Sequence, residues 1–298
     1  MYWDKGVAHA PKVVQTCIRS WRLQNPEYEV RVLDDSTVGA WVDLAALLPH
    51  YRELAVQKRS NLLRLELLRR YGGVWADATC YSAIPLREWI PAELPEGFLA
   101  KANPRRNMFV SNWFIAATPG ARFIDLWQLK YVEFLGQTLR HRPSRIEREF
   151  LRLIERHVAR TPQSTSLWCV RLPSRVLRTY PYFIHMYLAN EVIVQDQMVA
   201  AAWARRPYVD FNSKLVRHKD PAKSTSSALQ MLDSRSSPIY KLSWKKGWGA
   251  KEMSQVFGRL VQILDDVEST RRKGAGGLAT DVAAIGSATP SVVRSAVD

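Results

Sequence analysis

The stretch "YGGVWADATC", residues 71–80, constrains this chain more than any other. Before it, "NLLRLELLRRY" sets Leu63, Leu67 and Tyr71 at helical spacing, which predicts a helix from about Ser60 with one apolar face. Gly72 and Gly73 supply the permissive backbone that stops such a helix. Val74, Trp75 and Ala76 fit a buried strand and run straight into Asp77. A helix turned directly into a strand is the alternation from which α/β domains are built.

The same alternation recurs on both sides. "APKVVQTCIRSWRLQNP" predicts a helix entered at Pro11, with Val13, Val14, Cys17, Ile18 and Trp21 inward and its end at Asn25 and Pro26. "EYEVRVLDD" alternates as a strand does and closes on Asp34 and Asp35, with Ser36 placed to cap a further helix. "FLAKAN" and "VSNWFIAAT" read as strands, and a helix entered through Thr118 and Pro119 is packed by Phe123, Ile124, Trp127, Val132 and Leu135. The expectation is an α/β fold with a largely parallel central sheet and helical additions. At 298 residues and 47% hydrophobic the chain can bury a sizeable core. We assign 1–265 to one domain and read 269–298, rich in Gly, Ala and Ser, as a disordered tail.

In open α/β sheets ligands bind beyond the carboxyl ends of the strands, where Asp77 falls. Burying its charge alone costs several kcal/mol, so it needs a cation, a donor or a ligand. The alternative is that Asp77 caps its own loop by accepting from the N–H of Thr79 or Cys80. Asn61 and Arg64, three residues apart, share a helical face and can converge on one ligand. Spacing alone also allows Arg64 to be a helix-surface arginine beside Glu66.

The net charge of +15 favours anionic partners such as nucleic acid, acidic lipid or phosphorylated substrates, and it equally describes a solvated basic surface. No recognisable nucleic-acid module accompanies it, so no nucleic acid is expected. Cys17, Cys80 and Cys169 lie far apart, which suggests neither a zinc site nor a disulfide framework and fits a reducing compartment. The longest apolar candidate, between positions 182 and 203, is broken by Asn190, Glu191 and Asp196, and "MYWDKGVAHAPK" lacks a signal-peptide core. These features predict a cytoplasmic protein.

The run "QKRSNLLRLELLRRYGGVWADAT", residues 57–79, resembles glycosyltransferases that carry a sugar-binding region with an Asp-x-Asp motif, and most closely their bacterial capsular polysaccharide synthesis branch. "YWDKGVAHAPKVVQTCIRSWRLQNPEYEVRVLDD" near the start, "SNWFIAA" at 111, "YFIHMYL" at 182 and "PIYKLSWKKGW" at 238 extend the resemblance in the family's order. It implies a GT-A-type nucleotide-binding domain that transfers a hexose from a nucleotide-sugar donor, with retention, to a polysaccharide or lipid-linked acceptor. It also implies a divalent metal, manganese or magnesium, and work at the inner face of the cytoplasmic membrane, where an anionic surface would hold a basic protein.

Carried over by position, the resemblance makes Asp77 the first aspartate of Asp-x-Asp, the catalytic and donor-binding carboxylate. Thr79 replaces the second, so Asp77 and Thr79 become the expected metal ligands. Ser60, Asn61 and Arg64 match a Ser-Asp-x-x-Arg segment that holds the donor sugar, with Asn61 replacing the aspartate. Trp3 stands where relatives place a tryptophan against the nucleotide base, with fewer apolar residues before it than relatives show, as if the first strand were cut short. Lys241, Ser243 and Trp244 fall in the segment that folds over the diphosphate, with Tyr240 where relatives often have histidine. The bland reading of that segment is an amphipathic strand with solvated lysines. Asn112, Trp113, His185 and Tyr187 are expected on the acceptor side, although a lone histidine in an apolar run also reads as a core residue. Two further readings stay open: a catalytically inactive sugar-nucleotide-binding relative, and a basic membrane- or nucleic-acid-binding protein.

Overall fold

The computed structural model describes residues 1–137, 144–206, 215, 221–245 and 251–285. Helix α1 (Lys12–Gln24) buries Val13, Val14, Cys17, Ile18 and Trp21, the face that the spacing predicts. The single-turn α2 (Leu44–Leu47) is capped by Asp43, whose side chain accepts from the N–H groups of Ala45 and Ala46. Helix α3 (Val56–Tyr71) begins earlier than expected and is rotated from the expected face. It buries Leu62, Leu63, Leu65 and Leu68 together with Arg64 and Glu66, whereas Leu67 is half-buried and Tyr71 exposed. Two charged residues on the inward side are what apolar spacing could not anticipate.

Gly72 ends α3 at φ 63°, its N–H bonded to the Leu68 carbonyl. A Cβ there would stand 2.7 Å from the Ala117 carbonyl oxygen and from Pro119. Gly72→Ala combines a left-handed φ with a backbone clash, so it is expected to cost about 2 kcal/mol in a urea unfolding titration. An unchanged midpoint would show that the turn can shift to make room.

Strands β1 (Gly73–Ala76), β2 (Cys80–Ser82), β3 (Phe98–Ala102) and β4 (Val110–Ala117) follow, with β5 (Ile239–Lys241) much later in the chain. One sheet has the order β1-β4-β3 and the other pairs β2 with β5. Every one of these pairings is antiparallel. The largely parallel sheet is thus corrected to a mixed helix-and-sheet architecture whose described strands run antiparallel. The loop from β3 to β4 is shorter than the dozen or more residues that a parallel crossover requires. A parallel bridge does join Tyr2 to Leu33, but "EYEVRVLDD" forms no strand beyond it. The cap after that segment is Asp34, which accepts from the N–H of Ser36 and of Thr37.

Helix α4 (Arg122–Leu135) buries Phe123, Ile124, Trp127, Tyr131 and Leu135 and packs on α3. Shorter helices α5 (Arg145–Leu153) and α6 (Pro162–Thr165) lead to α7 (Ile184–Gln195), which is buried almost throughout and packs against α4 and β4. Then come α8 (Gln197–Arg205), α9 (Pro221–Asp233) and α10 (Lys251–Ile285). Val256, Leu260 and Leu264 of α10 join α1 residues in one apolar cluster. Residues 269–285, expected in a disordered tail, fall within α10, while 286–298 lie outside the described residues. Arg19 of α1 pairs with Asp265 and Glu268, and Glu268 pairs with Arg272, so the helix enters this segment already anchored.

Candidate active site

Asp77 begins the turn between β1 and β2. Its N–H donates to the Trp113 carbonyl at 2.9 Å, and its own carbonyl accepts from the Cys80 N–H at 2.8 Å. Trp75 and Asp77 are two residues apart on extended backbone and therefore point to the same side. The Trp75 indole Nε1–H donates to Asp77 Oδ1 at 3.1 Å, and Arg64 Nη2 donates to the same oxygen at 2.8 Å. Oδ2 accepts from Lys241 Nζ at 2.6 Å. The carboxylate is therefore held by α3, β1 and β5, and does not cap its own loop.

Asp77 and Lys241 expose 27% and 28% of their side chains, whereas Arg64 exposes 3%, so the carboxylate and ammonium reach solvent while the guanidinium is buried. Burial by itself would push the Asp77 carboxyl up. Lys241 and Arg64 outweigh it and hold the group down to about 2. Lys241 answers in kind: burial disfavours its charge, but the Asp77 carboxylate more than compensates and raises it. Both groups are ionised at neutral pH.

Behind Arg64 runs a polar line. Arg64 Nη1 donates to Asn61 Oδ1 at 2.6 Å, and Asn112 Nδ2 donates to the same oxygen at 3.2 Å. Asn112 Nδ2 also lies 3.2 Å from His185 Nδ1. The His185 ring packs on Trp127 at 4.4 Å and meets Tyr131 edge-on at 4.8 Å. Burial, aided by the Arg64 charge, keeps His185 well below its ordinary value and so neutral.

Residues 1–141 match the family of capsular polysaccharide synthesis proteins. The match takes in α3, the β1–β2 turn, Asn112 and Trp113, but neither His185 nor Lys241. The chain is also similar to Glycosyltransferase afumC of Aspergillus fumigatus, 32% identical over 149 residues that cover 42% of this chain and 37% of that protein. O-glycosyltransferase braB of Annulohypoxylon truncatum is 30% identical over 146 residues, covering 42% of this chain and 34% of its own length. The matched regions thus span little more than a third of these relatives. Among solved structures, the PaToxG glycosyltransferase covers 80% of this chain and 86% of its own at 15% identity and a TM-score of 0.37, a likeness too slight to carry an argument.

Of the residues that the capsule-synthesis resemblance singles out, the structure brings Asp77, Thr79, Asn61, Arg64, Lys241, Asn112 and His185 into one hydrogen-bonded group. Ser60 is half-buried on α3 beside Asn61, and Ser243 is half-buried just beyond β5. Trp113 contributes its backbone carbonyl to Asp77. Trp3 and Trp244, far apart in the sequence, meet edge to face at 5.9 Å. Tyr187 does not join the group. Two helical positions after His185 it points roughly 200° away, into the core, where its hydroxyl accepts from Asn107, and burial, with the neighbouring Glu155, raises its pKa. Tyr240 is likewise a core residue, donating its hydroxyl to the Met231 carbonyl.

Sequence reasoning missed Trp75, Tyr131 and Trp127. The first was legible from strand alternation, and the other two from their four-residue spacing on one face of α4. It also missed that Lys241 Nζ donates to Thr79 Oγ1, at 2.7 Å.

The expected metal ligands do not fit a divalent cation as they stand. Two donors occupy Asp77 Oδ1, and one ammonium binds both Asp77 Oδ2 and Thr79 Oγ1. Among the described residues no group of three His, Cys, Asp or Glu side chains could hold a metal ion.

Asn61, which the resemblance sets at an aspartate position, uses its amide oxygen twice as an acceptor. A carboxylate preserves both bonds, and its second oxygen can accept from the Tyr131 hydroxyl, which now bonds the Asn61 side chain. Asn61→Asp is therefore expected to fold normally and to keep turnover within about threefold of the parent, measured by donor consumption. A loss beyond about tenfold in folded protein would mean that the amide N–H itself serves the reaction.

Proposed function

We propose that this protein is a glycosyltransferase of GT-A type that moves a sugar from a nucleotide-sugar donor to a saccharide or lipid-linked acceptor in surface polysaccharide synthesis. The observation that carries the reading is the strand-end carboxylate Asp77, partly exposed and held between Arg64 and Lys241. The match of residues 1–141 to the capsule-synthesis family and the similarity to two glycosyltransferases support it.

In such a transfer the bond between the anomeric carbon and the β-phosphate oxygen breaks, and its electron pair stays on the phosphate. Lys241, with Arg64 behind it, offers fixed positive charge where that negative charge develops. The acceptor hydroxyl oxygen forms the new bond. In a front-face displacement, which retains configuration, its proton passes to the departing phosphate oxygen. Asp77, ionised at neutral pH, is no general acid; it holds the two cations in place. Asn61 faces the donor sugar, and Asn112, which bonds Asn61 and is oriented by His185, stands between it and the acceptor side. The exposed ring of Trp244, braced by Trp3, suits stacking on a base.

Titration calorimetry with UDP- and GDP-sugars tests the reading. Saturable binding followed by donor turnover supports it, no binding overturns it, and binding without hydrolysis or transfer favours an inactive relative. Among the described residues no helix is long and apolar enough to cross a membrane. Docking of the basic chain on acidic lipid is therefore our expectation for access to a lipid-linked acceptor: co-sedimentation with anionic vesicles at low salt, released as salt rises. Binding to duplex DNA with no response to vesicles would contradict it.

A further inference from the structure

We propose that the Lys241 ammonium takes the place that a divalent cation would hold at this site, so that the protein binds its nucleoside diphosphate without a metal. The inference rests on the glycosyltransferase reading above.

Three observations converge on it. Lys241 Nζ lies 2.6 Å from Asp77 Oδ2 and 2.7 Å from Thr79 Oγ1, bound by the two side chains that the Asp-x-Asp comparison marks as metal ligands. An ammonium has three donors and no acceptor. Two are spent on Asp77 and Thr79, and among the described residues nothing takes the third, which is left for a phosphate oxygen on the side where Lys241 keeps 28% of its side chain exposed.

The second observation is the balance of charge. Asp77 faces two permanent partners of opposite sign, Arg64 and Lys241, so the cluster is positive before any ligand arrives. A dication would be repelled from it, whereas a diphosphate would be drawn in. A carboxylate at position 79 would cancel that excess; the hydroxyl that stands there does not. The threonine hydroxyl accepts from the ammonium and leaves the positive excess in place, which disfavours a dication.

The third is rigidity. β5 pairs with β2 in a register that sets Lys241 opposite Cys80, and the Leu242 N–H donates to the Thr79 carbonyl at 2.9 Å. The lysine stem therefore leaves a short ladder whose extension holds Thr79, two residues beyond Asp77. A metal could enter only by expelling a side chain that the backbone is built to deliver.

The test titrates the full chain with UDP and with GDP, once in excess EDTA and once in manganese. Manganese alone is followed in parallel by electron paramagnetic resonance. The expected result is that the better nucleotide binds within about threefold as tightly in the two buffers, and that the free manganese signal is unchanged by the protein. Lys241→Gln should weaken nucleotide binding by at least about tenfold in EDTA, the loss of one charge-assisted contact. Lys241→Arg, which keeps the charge, should retain most of the affinity and serves if the glutamine variant does not fold. Binding that requires manganese, sequestration of manganese by the protein, or full affinity in folded Lys241→Gln would overturn the inference while leaving the glycosyltransferase reading intact. No binding of either nucleotide in either buffer would overturn both.

Discussion

Asp77→Asn is expected to abolish sugar transfer, with turnover lost by at least about a hundredfold, and also to weaken the fold. The amide keeps an oxygen for Arg64 Nη2 and the Trp75 indole, but no charge is left to balance Arg64, 3% exposed, or Lys241. Breaking a fully buried pair from one side costs about 3–5 kcal/mol. Because Asp77 is a quarter exposed, solvent and the amide return part of this, and about 1–3 kcal/mol is the expected loss at pH 7. The pH dependence follows from the sign of the shift. The folded state holds the carboxyl down to about 2, below its ordinary 3.8. The stabilisation is thus fully present above the ordinary value and is lost as pH falls through the folded one. Denaturation of parent and variant should accordingly differ at neutral pH and converge as pH approaches about 2. Parent-like turnover in a folded variant would remove Asp77 from the mechanism, and a stability gap independent of pH would mean that its charge is not what the two cations need.

The largest effect on stability alone is expected at Glu66, which plays no part in the site. Its side chain is fully buried and accepts from Arg69 Nε at 3.0 Å, from Arg69 Nη2 at 2.9 Å, from Arg70, and from Gln128 Nε2 of α4 at 3.1 Å. Burial alone would push the carboxyl up, but the two arginines outweigh it and hold it below its ordinary value. Glu66→Ala removes the acceptor that ties α3 to α4 and leaves the amide of Gln128, 7% exposed, facing a void. Arg69 and Arg70, 36% and 39% exposed, can return to water. The net cost is expected near 3 kcal/mol in chemical denaturation, with Glu66→Gln losing less because it keeps an acceptor. Nucleotide affinity of the folded fraction should be unchanged, since Glu66 lies two helical positions from Arg64 and faces α4. A marked loss of affinity would show that α3 transmits the change to Arg64.

These two carboxylates differ in how readable they were. Asp77 stood out in the sequence because an apolar strand ended on it, whereas Glu66 looked like a solvated helix residue beside Arg69 and Arg70. Only the rotation of α3 against α4 makes it a core group. The same holds across the molecule. Local periodicity determined α1, α4, β1, β3 and β4, since which residues alternate or recur every three to four positions is a property of neighbours in the chain. The Gly72 stop and the carboxylate beyond β1 were legible for the same reason. Strand direction was not, because antiparallel and parallel pairing ask for the same residues and differ only in how the chain returns. Nor was the choice between His185, which faces Asn112, and Tyr187, which faces Glu155: one helix carries both, and packing on α4 and β4 sets its rotation. The sequence by itself therefore determined those five elements and the carboxylate at the strand end. The tertiary structure decided what meets that carboxylate, above all Lys241, which lies 164 residues away and reaches Asp77 and Thr79 through the pairing of β5 with β2, a contact that no local pattern encodes.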